Sequence, residues 1–176
     1  YFEFGTLAAW VLYSEASLDA LVLEVGLGGR LDAVNALDAD CAIVTSIGID
    51  HTEFLGGSRE AIGLEKAGIF RPGRPAIVAD PSPAAALLRH AREIGADLQC
   101  LGQTFCYVSE LGEWMFWGRR GRRSGLPRPA LRGDYQLQNA SGCMAALDAL
   151  ADRLPVDLDS VRKGLTEVRW PSRFQV

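Results

Sequence analysis

An α/β fold built on a mostly parallel sheet flanked by helices, with a small antiparallel hairpin region, is predicted by three features of this sequence. Short apolar runs recur, each closed by Gly or Asp; helical stretches separate them; and two aromatic-rich runs flank a Gly-containing turn between about 104 and 132. Continuous apolar runs suit parallel strands buried on both faces, and strands that alternate with helices imply crossover units.

In chain order, Thr6 to Tyr13 carries apolar side chains with few breakers, which predicts a helix. Leu18 to Val25, Leu-Asp-Ala-Leu-Val-Leu-Glu-Val, is an apolar run closed by Gly26 and reads as a buried parallel strand. Cys41 to Ile47, ending at Gly48, and Ala76 to Ala79, preceding Asp80, repeat the pattern. Helices are predicted at about Ser58 to Gly68 and Pro83 to Ile94, where Pro83 suits a first helical turn and Gly95 a stop. Leu98 to Leu101 adds a strand. Phe105-Cys106-Tyr107-Val108 and Trp114-Met115-Phe116-Trp117, either side of Glu110-Leu111-Gly112-Glu113, predict an antiparallel hairpin. Gly118 to Arg132 reads as loop with room for one further edge strand, followed by helices at about Tyr135 to Asp152 and Asp157 to Val168.

At 176 residues and 48% hydrophobic, the chain has the size of one domain with a single sizeable core. A net charge of -4 provides no general attraction to nucleic acid or anionic membranes, so neither is an expected partner. The basic run Arg119-Arg120-Gly121-Arg122-Arg123 reads as a solvated loop within an acidic chain. No apolar run approaches the roughly 18 residues of a membrane span, and the four cysteines form no CxxC pair, so a reduced, cytoplasmic setting is expected. A monomer is the default.

Three residues stand out chemically. Glu24 is a carboxylate at the carboxyl end of an apolar run, where burial without a partner is costly. It is followed by Gly26-Leu27-Gly28-Gly29-Arg30, a backbone able to approach a ligand closely, although the same residues suit a plain strand-to-loop turn. The run is not a dinucleotide fingerprint, because the third glycine falls on Leu31, and no GxxxxGK[ST] loop occurs. His51, after Asp50, follows the second strand and is expected at the same carboxyl edge, where open α/β sheets bind ligands; a structural histidine would look alike. Lys66 is one of only two lysines beside sixteen arginines, and as a bare pattern it is an exposed helical lysine. A hard cation such as Mg²⁺ takes oxygen ligands, occasionally joined by a histidine nitrogen. A protonated lysine cannot ligate, whereas its CO₂ adduct, a carbamate, is anionic and oxygen-rich.

Three ordered segments, Glu24 to Asn35 (EVGLGGRLDAVN), Thr45 to His51 (TSIGIDH) and Glu65 to Phe70 (EKAGIF), resemble the central domain of the folylpolyglutamate synthase family, including its bifunctional dihydrofolate synthase form, within the Mur ligase superfamily. Leu131 to Ala140 (LRGDYQLQNA) and Pro171 to Phe174 (PSRF) match two further family segments, so the resemblance runs from Tyr1 to Val176. It departs from commoner family forms at Val34, where Thr is frequent, and at Tyr135, where His is frequent.

The resemblance implies an enzyme that uses ATP and Mg²⁺ to join L-glutamate to dihydropteroate or a folate through an acyl phosphate. It implies Glu24 and His51 as metal ligands, Lys66 as a carbamylated lysine beside the second metal, and Asp50 orienting His51. Asn139 would contact adenine and Arg173 the nucleotide phosphates; Phe2, Phe4 and Thr6 match the segment bordering the pterin pocket. It further implies that residues 1–176 are the central domain, with the family's phosphate-binding loop before Tyr1 and its C-terminal domain after Val176, so that this stretch alone does not turn over. The competing readings are a non-catalytic nucleotide- or Mg²⁺-binding scaffold and a related cell-wall ligase; a nicotinamide-dependent oxidoreductase fits least, given the failed fingerprint.

Overall fold

The computed structural model describes residues 1–49, 53 and 56–170. Two three-stranded sheets organise it. The first is parallel, in the order β1 (Ala42–Val44), β2 (Pro75–Val78), β3 (Asp97–Cys100), with Ile43 opposite Ile77 and Ile77 opposite Gln99. Helix α2 (Arg59–Ala67) precedes β2 and α3 (Ala85–Glu93) connects β2 to β3, the crossover arrangement that parallel pairing requires. The second sheet is an antiparallel meander of β4 (Cys106–Ser109), β5 (Glu113–Gly118) and β6 (Gly121–Pro127), so the predicted hairpin gains the further strand for which the sequence left room.

Strand β2 is buried on both faces, and its alternation divides the core in two. Ala76 and Val78 pack toward Ile62, Ala67, Leu87 and Ala91 of α2 and α3. Ile77, with Ala79 beyond the strand, packs toward Trp114, Phe116, Leu126 and Met144, contributed by the antiparallel sheet and helix α4 (Tyr135–Leu150). Helix α5 (Leu158–Glu167) adds Val161 to this second cluster. The result is three layers with the parallel sheet in the middle.

Local chemistry fixes the helix boundaries. The Ser58 hydroxyl accepts from Ala61 N–H to start α2, and Asp157 accepts from Ser160 N–H to start α5. Helix α3 begins at Ala85, two residues later than the expected start at Pro83, and its flanking Ala84 has no capping side chain. Glu60 of α2 supplies the cap, accepting from Ala85 N–H at 3.0 Å and Ala86 N–H at 2.7 Å. Those two N–H groups, Ala86 foremost, hold the Glu60 carboxyl below its usual range. The helices meet closely because Gly63 leaves space: a Cβ there would lie 2.7 Å from Ala84 Cβ.

Two expectations are corrected. Leu18–Val25 is not a strand: no regular element is present there, and Val22 is 93% exposed. A strand exists only as part of a hydrogen-bonded ladder, and among the described residues β1 pairs with β2 alone, leaving no ladder position filled by this run. The basic run at Arg119–Arg123 is exposed as expected, with Arg123 half-buried, but it is the pinned turn between β5 and β6 together with the start of β6 rather than a loop. Arg119 makes two bonds to Asp97, Arg120 contacts Asp152 and Asp148, Arg122 stacks over Trp117, and Arg123 bridges to buried Asp148. The N-terminal helix is present and longer than expected, α1 (Phe2–Glu15), with none of its residues buried. Among the described residues no helix is long and apolar enough to cross a membrane.

Candidate active site

The glycine-rich loop after Glu24 is held in shape by one carboxylate. Asp32 accepts from Gly26 N–H and Leu27 N–H through one oxygen, both at 3.0 Å, and from Val34 N–H through the other at 2.9 Å. It thereby caps the short 3-10 helix Ala33–Ala36 while folding the loop back on itself. Gly28, at φ +73°, takes the left-handed turn that a side chain would resist. The ring of Phe2 lies over Gly26, where an added Cβ would come within 3.0 Å of it.

This loop docks on the last turn of α2, the turn that carries Lys66. Arg30 N–H donates to Glu65 carbonyl at 2.9 Å and the Arg30 side chain pairs with the Glu65 carboxylate at 3.0 Å. A Cβ at Gly29 would lie 2.7 Å from Glu65 carbonyl and 3.1 Å from Lys66 Cα; one at Gly68 would lie 2.4 Å from Arg30 Cβ. Only glycine permits two backbones so close, so both glycines are required by the contact.

Among the described residues, neither Glu24 nor Lys66 makes a side-chain hydrogen bond or ion pair; Glu24 is exposed and Lys66 half-buried. His51, Asp50 and Arg173 lie outside the described residues. Asn139 sits in α4, its amide donating to Gln136 at 3.2 Å; Gly142, one turn on, rests against Ala79 just past the end of β2. The structure thus brings Phe2, the Glu24 loop and the Lys66 turn into one neighbourhood. Phe4 is 79% exposed and the Thr6 hydroxyl donates to Phe2 carbonyl within α1, so neither joins that contact. Among the described residues no group of three or more His, Cys, Asp and Glu side chains is assembled.

Sequence reasoning missed Asp80. This carboxylate, 3% exposed, accepts from Ile47 N–H, Ser82 N–H and the Arg59 guanidinium, each at 2.9 Å. It ties the carboxyl end of β2 to the segment leading from β1 toward Asp50 and His51. Its signal was an acid directly after an apolar run, the same signal that singled out Glu24. At the sheet, burial, then Asp97 and Asp40, pushes the Cys41 thiol up to about 11, and burial raises Cys100 as well, which disfavours the thiolate at both.

Fold and loop geometry together define the class: a three-layer α/β domain in which a glycine-rich loop, following a carboxylate with no side-chain partner among the described residues, docks on a lysine-bearing helix end. No family model matches the chain. It is 46% identical over 176 residues to the dihydrofolate synthase/folylpolyglutamate synthase of Escherichia coli K12, covering 100% of this chain and 40% of that protein. It superposes on E. coli FolC in complex with DHPP and ADP with a TM-score of 0.92 at 46% identity, over 99% of this chain and 41% of that one. A bifunctional folylpolyglutamate synthase/dihydrofolate synthase with Mn, AMPPNP and L-glutamate bound gives a TM-score of 0.89 at 43% identity, over 100% and 41%. The chain is homologous, along its full length, to part of the dihydrofolate synthase/folylpolyglutamate synthase family, and it spans about two fifths of the length of the curated relatives it matches.

Proposed function

We propose that the chain is the central domain of an ATP- and Mg²⁺-dependent ligase that adds L-glutamate to dihydropteroate, to a folate, or to both, in the cytoplasm. The observation that carries the reading is the backbone contact between the Glu24 loop and the Lys66 turn, which joins two of the motif segments at one place. Likeness to proteins holding ADP, AMPPNP, Mn, DHPP and L-glutamate supports it, and four free cysteines accord with a reducing compartment.

The donor chemistry fits magnesium. Glu24 offers carboxylate oxygens to the hard cation, His51 a nitrogen, and Lys66, as a carbamate, two further anionic oxygens. When bound, Mg²⁺ offsets charge that develops on the phosphoryl oxygens during transfer from ATP to the acceptor carboxylate. The chain's own residues then have distinct tasks. Asn139 holds adenine, Arg173 the phosphates, and Asp50 orients His51. Phe2, with Phe4 and Thr6, borders the pterin. The acyl phosphate formed is attacked by the amine of glutamate, phosphate leaves, and an amide results. No protein nucleophile is required, because positioning and electrostatics lower the barrier.

The test is glutamate-dependent ATP hydrolysis by the intact protein with dihydropteroate and with a reduced folate as acceptors. Lys66→Ala is expected to lower kcat by about 10²–10³-fold, as loss of a charge-stabilising group does elsewhere. Near-normal turnover by that variant would remove Lys66 from the mechanism.

A further inference from the structure

The contact between the Glu24 loop and the Lys66 turn is not maintained by the loop alone. Arg71, three residues beyond Gly68, reaches back into it. Its Nη2 donates to Asn35 carbonyl at 2.8 Å and to Asn35 Oδ1 at 3.0 Å; its Nη1 donates to the carbonyls of Gly68 and Phe70, both at 3.2 Å; its Nε pairs with Asp38. The side chain is 22% exposed, and each of its nitrogens is engaged within the chain. A guanidinium so committed presents no free edge to a ligand.

Asn35 completes the link. Its amide nitrogen donates to Arg30 carbonyl and to Gly68 carbonyl, both at 3.0 Å, so one side chain bonds both the glycine-rich loop and the residue that ends α2. Gly68 carbonyl therefore receives Asn35 and Arg71 together. The loop bearing Glu24 and the turn bearing Lys66 belong to segments some forty residues apart, and this pair of side chains links them.

We propose that Asn35 and Arg71 are positioning residues: they clamp the glycine-rich loop to the end of α2 so that Glu24 and Lys66 are held at the spacing a shared divalent cation needs. The inference rests on the ligase reading above. Groups that orient metal ligands typically change metal affinity about 10–100-fold when removed, whereas residues that serve only folding shift unfolding without altering affinity in the folded protein.

The experiment uses the intact protein and Mn²⁺ as probe, its binding followed by electron paramagnetic resonance without substrates, beside thermal unfolding and the Mg²⁺ dependence of glutamate-dependent ATP hydrolysis. Asn35→Ala and Arg71→Lys are expected to weaken Mn²⁺ binding about tenfold and to raise the half-saturating Mg²⁺ similarly, with the KM for the folate acceptor unchanged. Arg71→Lys keeps the charge but loses the two-sided grip, so it tests the geometry without leaving a neutral residue at this site. Arg74→Gln, which removes a nearby surface pair with Asp40, is the control and should leave Mn²⁺ binding as it was. Folded variants that bind Mn²⁺ within twofold of the wild type overturn the clamp and leave the ligase reading intact. A wild-type protein that binds no Mn²⁺ and hydrolyses no ATP with glutamate overturns both.

Discussion

Residues 1–25 and residues 75–126 both carry runs of large apolar side chains, and only the second stretch buries them. In α1, Phe4, Leu7 and Leu12 are all more than half exposed, whereas Ile77, Trp114, Phe116 and Leu126 show 0% of their surface. The difference is partnership rather than composition. Ala76, Ile77 and Val78 of β2 and Trp114 and Phe116 of β5 each belong to a core cluster shared with other elements; α1 makes its main contact with the short 3-10 helix after the glycine-rich loop. Hydrophobic free energy is gained only where apolar area leaves water, so equal side chains contribute unequally in the two regions.

The widest separation between the regions is expected from tryptophan. Trp114 is fully buried and its indole N–H donates to Pro127 carbonyl at 2.9 Å. Trp114→Ala should cost about 3–5 kcal/mol in a denaturant titration, from the cavity and the stranded carbonyl together. Trp10→Ala, at a site 39% exposed in α1, should stay within about 1 kcal/mol. Equal losses at the two tryptophans would show that α1 is covered in solution and would erase the contrast.

Next in size is Asp80→Ala, which strands Ile47 N–H, Ser82 N–H and the Arg59 guanidinium at the carboxyl edge of β2. Removing one partner of a buried, hydrogen-bonded charge is expected to cost about 3–5 kcal/mol; Arg59 remains partly in water, which places the result at the lower end. Asp80→Asn retains one acceptor and should fall between alanine and wild type. The same titration reports both.

The contrast also explains what could be read in advance. Strands β1 to β5 and the helices were legible because a buried parallel strand and an amphipathic helix leave periodic, local traces, and turn residues such as Gly112 and Gly95 mark their ends. Leu18–Val25 was misread because an apolar run records the preference of a segment, not whether a neighbouring ladder receives it. The exposure of the arginine turn was legible and its pinning was not, for a related reason: Asp97 and Asp148, which pin Arg119 and Arg123, are distant in sequence. Within the candidate site, Glu24 and Lys66 could be picked out by motif and by oddity. The supports could not. Asn35 and Arg71 meet across thirty-six residues and Asp80 and Ile47 across thirty-three, pairings that only the folded chain brings together.

The smallest effect tests the rim of the well-packed region, where burial gives way to solvent. Asp97 and Arg119, each about two fifths exposed, form a two-bonded pair that joins the parallel sheet to the antiparallel turn. Arg119 hydrogen bonding holds the Asp97 carboxyl below its ordinary value, and the same pairing raises Arg119. A carboxyl depressed by folding stabilises the protein above its unfolded value, and that contribution is lost as pH falls toward the depressed one. Asp97→Asn should therefore cost no more than about 1 kcal/mol at neutral pH, and the cost should shrink in acid and in high salt. Urea midpoints measured across the acidic range would read it. A loss that persisted unchanged at pH values where the wild-type carboxyl is protonated would mean that the join between the two sheets depends on packing around the pair, and that the boundary between buried and exposed chain lies further out than Asp97.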